Sequence, residues 1–433
     1  MAEPDRPNIV VMVSDDHGQP DCVPFGSKDV RTPNLQRFAA AGCLYAQAFA
    51  ASPSCAPSRS SLLTGLMPSR HGGEPNHVGK QDNIASLPGI FGRLGYQTAA
   101  LGKIAYNHAD QSRHGFDVVG KLGTGKAVAD FFAKKRDKSK PLAMFVGTTL
   151  PACPWGEYES YDPQEALLPP THIDTPETRV HRARYYADIA RLDQWIGEIW
   201  HLSRKELGDK SCFMYFSDHG AQWPFAKWNC YDAGLRVPML MSWHGVVKSA
   251  STSEALVSLT DVIPTLLELV GSAAPSGLDG QSFASLVRGR TTTHRSHVFG
   301  THSGDGNLNV FPMRCVRTKD LKYIVNLRPD LIHGTPIDQG KEKDCTGLLY
   351  WQRWEAAARN DPKAAEIIQR YRSRPLEELY DLATDPHEQR NLAGHPGQAE
   401  NLKALRRHMF AWMRAQKDQK RVYGRPRPLL AVK

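Results

Sequence analysis

The sequence predicts an α/β fold in which a mostly parallel central sheet lies between layers of helices. Five apolar, β-branched runs are typical of strands buried on both faces, as in a parallel sheet. Helical patterns separate these runs along the chain, which favours alternating strands and helices. Beyond about residue 290 the pattern changes to short, half-alternating strands. This change predicts a smaller C-terminal α+β subdomain with a short antiparallel sheet.

The predicted elements of the larger part follow one another in order. Its strands are NIVVMVS (8–14), YQTAALG (96–102), LAMFVGT (142–148), CFMYFS (212–217) and VPMLMSW (237–243). Helical patterns occupy 32–42, the segment after Thr175 and Pro176, and 260–271. The helix after Pro176 is predicted from apolar residues spaced four and three apart, which form a continuous stripe. The stripe consists of Tyr185, Ile189, Leu192, Ile196 and Ile199.

The C-terminal part contains three strand-like runs and two helical patterns. The strands are HVFGTH (297–302), MRCVRT (313–318) and LKYIVNL (321–327), and the helices cover 365–372 and 401–416. We therefore expect an α/β domain at residues 1–290 and an α+β subdomain at residues 291–433.

Composition and charge limit the functional classes. The chain has 433 residues, of which 41% are hydrophobic and 23% charged, as in an ordinary soluble globular protein. Its net charge of +9 favours anionic partners, although scattered lysines and arginines are also explained by solubility alone. We expect no nucleic-acid partner, because no basic helix or nucleic-acid motif occurs. We expect no membrane partner, because no apolar run approaches the roughly 18 residues of a span.

Targeting and redox signals are equally sparse. No charged and apolar leader precedes the first strand, so we expect a cytoplasmic protein, or a periplasmic one if a leader has been removed. The eight cysteines include no CxxC pair, which disfavours zinc ribbons and thioredoxin-like redox sites.

Acidic side chains follow two of the predicted buried strands. Asp15 and Asp16 end the first, and Asp218 and His219 end the run CFMYFS. Ligands of open α/β sheets collect at the carboxyl ends of strands. Carboxylates gathered there favour a hard divalent cation, Ca²⁺ or Mg²⁺. The alternative is that these residues cap helices or form turns.

Cys55 lies in the unusually polar segment SPSCAPSRSSLLTG (52–65). The residues after it can begin a helix, so the cysteine would face a helix N-terminus, where anions bind. Arg59 adds a positive charge. A bare thiolate nucleophile is one interpretation, but no distinctive base accompanies it. Lys103 and Lys227 follow predicted strands and are either surface residues or clamps for an anionic group.

These segments together resemble the formylglycine-dependent (type I) sulfatases of the alkaline phosphatase superfamily. The similar segments, in order along nearly the whole chain, are RPNIVVMVSDDHG, CAPSRSSLLTG, GYQTAALGK, SDHG with KWNCYDAGLRVPML, and LYDLATDPHEQRNLA. The segment FAKWNCYDAGLRVP is more similar to heparan N-sulfatase and iduronate sulfatase relatives than to arylsulfatases. The resemblance implies an alkaline phosphatase-like fold with the catalytic domain at 1–290.

The resemblance also implies the chemistry. Cys55 would be oxidised by a formylglycine-generating enzyme or equivalent maturase, and one oxygen of the hydrated aldehyde would attack sulfur. Ca²⁺, with Mg²⁺ as the alternative, would be held by Asp15, Asp16, Asp218, His219 and the converted Cys55. Arg59 would orient the diol, and Lys103 and Lys227 would bind the sulfate. The substrate would be an anionic sulfated small molecule or saccharide.

Two departures from the family pattern concern histidines. Relatives carry a histidine two or three residues after the first lysine, where this chain has Ala105 and Tyr106. The nearest histidine, His108, is our candidate to assist the diol. The segment VGTTLPACPWG also lacks the histidine that contacts sulfate in many relatives, and His71 and His77 are candidates to compensate.

Three functions are therefore compared below. The first is a sulfatase acting on a sulfate ester or sulfamate, with Trp155, Trp223 and Trp228 either stacking on sugar rings or packing in the core. The second is a phosphonate or phosphate monoester hydrolase of the same superfamily. The third is a non-catalytic sulfoglycan-binding protein in which Cys55 stays unmodified.

Overall fold

The computed structural model describes residues 6–157, 160–341 and 347–429. These residues contain fourteen strands and fourteen α-helices. The strands β1 to β14 are, in order, Ile9–Ser14, Cys43–Tyr45, Ala48–Phe49, Gln97–Gly102, Val118–Gly120, Leu142–Gly147, Cys212–Ser217, Met239–Ser242, Ser251–Ser253, Val257–Ser258, Val298–His302, Met313–Arg317, Leu321–Asn326 and Glu377–Asp381.

The helices surround the sheets and include one long member. The helices α1 to α14 are, in order, Pro33–Ala40, Cys55–Thr64, Pro68–His71, Pro88–Arg93, His108–Gln111, Gly125–Lys134, Pro176–Leu207, Asp232–Leu235, Val262–Leu269, Ala284–Val287, Pro336–Gln339, Leu348–Ala357, Pro362–Arg372 and Ala399–Ala415. In the described part of the chain, none of these helices combines the length and the apolar composition that crossing a bilayer requires.

The central sheet has eight strands in the order β5-β4-β6-β1-β7-β8-β2-β9. The five strands from β5 to β7 are all parallel, which confirms the predicted mostly parallel α/β fold. Strand β8 corresponds to the predicted run 237–243 but lies antiparallel to both of its neighbours. A fully apolar run reads the same in either direction, so its sequence did not indicate this reversal.

Both faces of the central sheet are covered, as the continuous apolar runs predicted. In β1, Val11 and Val13 belong to the core on one face, and Val10 and Met12 to the core on the other. The predicted stripe of α7 is fully buried and bridges the two cores. Helix α1 packs Leu35 and Phe38 beside α7 on the second face.

The C-terminal part forms a separate antiparallel sheet of four strands, β11-β12-β13-β14, in chain order. Helix α14 covers one face with a small core that includes Leu405 and Met409. The small antiparallel sheet is confirmed. The domain boundary near residue 290 stays a prediction, and the extreme ends of both predicted domains, 1–5 and 430–433, lie outside the described residues.

A buried network of hydrogen bonds and ion pairs connects the C-terminal sheet to α8. Lys322 on β13 donates to Asp232 Oδ1 at 2.6 Å and lies 3.3 Å from Glu388 Oε1. Glu388 Oε2 in turn accepts from the backbone N–H of Asp232 at 2.6 Å. Arg317 completes the network with a bond of 3.2 Å to Asp232. The segments KWNCYDAGLRVPML and LYDLATDPHEQRNLA, two of those on which the family resemblance rests, therefore meet here.

Glu388 makes the stability of this junction depend on pH. Burial raises its pKa from 4.5 to about 8, Lys322 opposes the shift, and Asp232 adds to it. The folded state thus retains a proton that the unfolded chain releases, so this carboxyl lowers stability progressively between pH 4.5 and 8. We expect Glu388→Gln to become more stable than the wild type as pH rises through this window, by at most about 1.4 kcal/mol per pH unit.

Urea unfolding of both proteins at pH 5, 6, 7 and 8 measures this difference. The exposed acid Glu400 serves as the control, and Glu400→Gln should not reproduce the gain in stability with rising pH. A Glu388→Gln difference that is flat or falls with pH would contradict the prediction.

Candidate active site

The pair Asp15 and Asp16 meets the pair Asp218 and His219 because β1 and β7 are parallel neighbours. Their register pairs Ser14 with Ser217, so the residues that follow each strand leave the sheet side by side. The backbone N–H of Asp16 donates to Asp218 Oδ1 at 3.2 Å. Asp16 has a left-handed backbone with φ 67°, a conformation that Asp tolerates better than most residues. The predicted convergence of the two strand ends is therefore present in the fold.

Helix α2 directs its N-terminus at these strand ends. Ser58 Oγ donates to the backbone carbonyl of Asp218 at 2.5 Å and fixes the helix against β7. Cys55, the first residue of the helix, lies with Sγ 3.2 Å from His219 Nε2 and 4.0 Å from Asp16 Oδ1. Burial raises the pKa of the Cys55 thiol, and Asp15 adds to the shift. The unmodified side chain is therefore a thiol rather than an activated thiolate.

Four side chains have the arrangement of a metal site. One ligand atom each from Asp15, Cys55, Asp218 and His219 lies within 4.8 Å of the others. His219 Nδ1 donates to the carbonyl of Gly220 at 2.9 Å, which leaves the lone pair on Nε2 facing the cluster. Carboxylate oxygens and an imidazole nitrogen fit a divalent cation. These side chains therefore fit the metal that the family resemblance implies.

Asp16 lies at the edge of this group. Its Oδ1 is 3.3 Å from His219 Nε2, and both of its oxygens accept from Lys227 Nζ, at 2.9 and 2.7 Å. Burial lowers the pKa of Lys227, but Asp16 together with Cys55 and Asp15 outweighs burial and raises the pKa well above its usual value. Lys227 is therefore a buried cation next to the predicted nucleophile.

Arg59 forms ion pairs with an acid at the end of each of the two strands. Its Nε donates to Asp218 Oδ2 at 2.8 Å, and its Nη2 lies 3.3 Å from Asp15 Oδ1. Nη1 donates to the backbone carbonyl of Lys103. This carbonyl also explains Gly147 at the end of β6, because a Cβ there would lie 1.9 Å from it. The guanidinium thus connects β1, β4 and β7 at one point.

The two partners of Arg59 titrate differently. Burial raises the pKa of Asp218, Arg59 opposes this, and the net pKa is above the usual value. Burial also raises the pKa of Asp15, but Lys103 and Arg59 outweigh it and lower the pKa well below the usual value. The Lys103 ammonium, 2.6 Å from Asp15 Oδ2, explains the difference.

The structure therefore brings together eight of the predicted residues: Asp15, Asp16, Cys55, Arg59, Lys103, Asp218, His219 and Lys227. His108 is the exception. It begins α5, is exposed, and lines a surface cavity of about 280 Å³ that also includes Lys103. Within the described residues, no hydrogen bond or ion pair joins His108 to the other eight. Its assistance to the diol stays a prediction.

The other candidate histidines differ in their surroundings. His71 is buried against Ser61 Oγ at 3.1 Å, and burial lowers its pKa to about 3, so it is a neutral core residue. His77 is largely exposed, and its ring lies 5.4 Å from that of Tyr106. Tyr106 occupies one of the two positions at which the family pattern has a histidine. Of these two, only His77 is placed to meet a ligand.

The three tryptophans considered for sugar stacking are buried. Trp155 and Trp223 stack on each other at 4.8 Å, and both belong to the core. Trp228 is 3% exposed and donates its indole N–H to Asp305 Oδ2 at 2.6 Å. Core packing is therefore the correct alternative for these residues. Asp305, which lies in the loop between β11 and β12, was not singled out in the sequence because nothing near it forms a motif.

The parallel sheet and this site place the protein in the class of hydrolases of the alkaline phosphatase superfamily. Comparison with family models supports the assignment and refines it. The model described as "Sulfatase" matches residues 7–137 and 126–272, and one described as "N-sulphoglucosamine sulphohydrolase, C-terminal" matches residues 219–330. The chain belongs to the sulfatase family and is a sulfuric ester hydrolase.

Two relatives that cover nearly the whole chain are also sulfatases. An ulvan-active sulfatase of Formosa agariphila is 31% identical over 428 residues, covering 96% of this chain and 81% of the relative. The N-sulphoglucosamine sulphohydrolase of Homo sapiens is 27% identical, covering 94% of this chain and 90% of the relative.

Solved structures show the same fold at lower identity. One protein in complex with its substrate D-glucosamine-2-N,6-O-disulfate has a TM-score of 0.73 and 19% identity, covering 96% of this chain and 99% of its own. The phosphonate monoester hydrolase of Silicibacter pomeroyi has a TM-score of 0.72 and 17% identity, covering 96% of both chains. The fold is therefore shared by hydrolases of different anionic esters.

Proposed function

We propose that this sulfatase removes sulfate from a carbohydrate, as a sulfate ester or a sulfamate. The observation that carries the proposal is the convergence of Cys55, Arg59 and the acidic strand ends at one buried point. The names of the relatives supply the substrate class, since they include an ulvan-active sulfatase and an N-sulphoglucosamine sulphohydrolase. The excess positive charge agrees with an anionic saccharide.

Two groups that the family resemblance implies have residues here that fit them. Asp15, Asp218 and His219, with Asp16 at the edge, would hold Ca²⁺, with Mg²⁺ as the alternative. A divalent cation supplies charge stabilisation and acidifies a hydroxyl bound to it. Position 55, oxidised to formylglycine by a maturase, would supply the attacking oxygen.

The remaining residues act on the sulfate and its surroundings. Burial lowers the pKa of Lys103, but its acidic neighbours, Asp15 foremost, together raise the pKa, so Lys103, like Lys227, is cationic at neutral pH. These two ammonium groups would bind sulfate oxygens as point charges. Arg59 holds the acids in register and, through its charge, stabilises negative charge that develops on the transferred group. The buried surroundings exclude bulk water, which strengthens these interactions.

The alternatives make different predictions. A phosphonate or phosphate monoester hydrolase is supported by the fold that this chain shares with the phosphonate monoester hydrolase. A non-catalytic binding protein is supported by the missing histidines at Ala105 and Tyr106. Both are weakened by the sequence relatives, which are sulfatases over nearly the whole chain.

The test combines mass and turnover. The protein is produced with and without a formylglycine-generating enzyme, and conversion of Cys55 lowers the intact mass by about 18 Da. The converted protein is then assayed on D-glucosamine-2-N,6-O-disulfate, ulvan oligosaccharides, an aryl sulfate and an aryl phosphonate. Release of sulfate from a saccharide supports the proposal. Faster cleavage of the phosphonate than of every sulfate, or conversion without any turnover, would refute it.

Metal removal provides a further prediction. We expect EDTA to reduce sulfatase activity by at least about a hundredfold and to lower the melting temperature, because the clustered carboxylates then repel one another. Ca²⁺ or Mg²⁺ added in excess should restore both, and the more effective ion identifies the native metal. Activity that survives exhaustive chelation, verified by elemental analysis of the protein, would contradict the metal assignment.

A further inference from the structure

Asp305 reaches from the C-terminal part of the chain to the edge of the active site. It is only 5% exposed and accepts three hydrogen bonds or ion pairs. The donors are Asn76 Nδ2 at 2.9 Å, Trp228 Nε1 at 2.6 Å and His77 Nε2 at 3.0 Å. We call these four residues the Asp305 cluster. Burial would raise the pKa of Asp305, but these donors, His77 foremost, lower it to about 2.

The Asp305 cluster is attached to the catalytic residues on two sides. Asn76 Oδ1 accepts from the backbone N–H of Ala56, the residue after Cys55, at 3.2 Å. Trp228 directly follows Lys227, whose Nζ lies 5.0 Å from the Trp228 ring. The cluster therefore forms one wall beside the nucleophile and the sulfate-binding lysine.

The backbone of the cluster is unusual. His77 and Trp228 have left-handed φ values of 67° and 65°. Such conformations cost about 1–3 kcal/mol for a bulky residue, and they concentrate at ligand-binding sites. The hydrogen bonds to Asp305 hold both side chains in these positions. The strain therefore serves to present the cluster in one orientation.

His77 is the only member of the cluster that is exposed. Its side chain is 58% exposed, whereas that of Asp305 is 7% exposed. Nε2 is engaged by Asp305, and no hydrogen bond to Nδ1 occurs within the described part of the chain. The other two donors to Asp305 are neutral, so His77 is the one side chain of the cluster that can neutralise the buried carboxylate. An exposed imidazole N–H beside the proposed sulfate site suits a second anionic group of the ligand.

Resting on the proposed carbohydrate sulfatase function, we propose that His77, held by Asp305, is a specificity-determining residue that binds an anionic substituent of the saccharide. That substituent is a second sulfate or a carboxylate, distinct from the scissile sulfate on Lys103 and Lys227. The sulfatase therefore prefers sugars that carry two negative groups.

Binding to an inert variant tests this preference without turnover. Cys55→Ala cannot be converted, so calorimetry on this background measures affinity alone. The probes are D-glucosamine-2-N,6-O-disulfate and its two monosulfates. His77→Asn retains a residue that tolerates a left-handed backbone but loses the imidazole. We expect it to weaken disulfate binding about tenfold and monosulfate binding less than twofold.

Two further variants complete the design. His77→Arg restores a cation and should recover disulfate affinity, which a merely structural role would not predict. His201→Gln, at an exposed histidine of α7, should leave all affinities unchanged. Equal weakening for all probes, no weakening, or no measurable binding of any probe would overturn the proposal. Turnover by the converted wild type separately decides the proposed function, since it does not depend on the His77 variants.

Discussion

Replacing Cys55 by alanine should abolish sulfate hydrolysis in protein produced with a maturase, by on the order of 10⁴-fold or more. Alanine has no thiol that a maturase can oxidise to the aldehyde, so the attacking oxygen is missing. The acids, Arg59 and both lysines remain, so residual binding of substrate is expected. The fold should persist, because the change removes one small side chain at the start of α2 and costs about 1 kcal/mol.

The measurement compares initial rates and intact masses of matched preparations. The wild type should show the loss of about 18 Da, and Cys55→Ala should not. Cys43→Ala is the matched control, since Cys43 is half-buried on β2 and away from the acids. This control should keep both the mass change and the activity. A Cys55→Ala protein within tenfold of wild-type activity would exclude Cys55 as the source of the nucleophile.

Replacing Arg59 by methionine should both inactivate and strongly destabilise the protein. The side chain of Arg59 is fully buried and bonds to two buried carboxylates. Removing one partner of a buried pair leaves uncompensated charge and typically costs about 3–5 kcal/mol. Arg59→Lys should recover only part of this loss, because an ammonium cannot span Asp15, Asp218 and the Lys103 carbonyl together.

Urea unfolding with and without Ca²⁺ measures the effect. The matched control is Arg328→Met, which removes an arginine–aspartate pair of similar geometry on the surface, where Arg328 is 39% exposed. That variant should lose less than about 1 kcal/mol. If the two variants are equally stable, the buried network does not hold the strand ends together. Recovery of Arg59→Met by Ca²⁺ would show that the ion takes over part of the neutralisation.

The site was predictable where it depended on the parallel sheet. Asp15, Asp16, Asp218 and His219 follow strands with clear buried patterns, and parallel strands place their carboxyl ends at one edge. The sequence also placed Cys55 at a helix N-terminus and the two lysines after strands, but their roles in catalysis and sulfate binding came from the resemblance to a family. The role of Arg59 as a link between β1, β4 and β7 could not be predicted, since it depends on how the strands are ordered.

The Asp305 cluster could not be predicted from the sequence for a different reason. Asp305 is 228 residues from His77 in the chain, and only the docking of the C-terminal part brings them together. The burial of the tryptophans was also not predictable, because the local sequence around Trp223 does not distinguish a core tryptophan from one that stacks on a sugar. The direction of β8 was hidden because apolar runs do not encode polarity.

Cys55 is 7% exposed, and every other residue of α2 is buried as well. Conversion of Cys55 by a maturase would therefore have to precede the packing of α2 into the fold. Protein that folds first would keep its thiol and would stay inactive until it unfolds. The specific activity of a preparation would then record whether conversion or folding was faster.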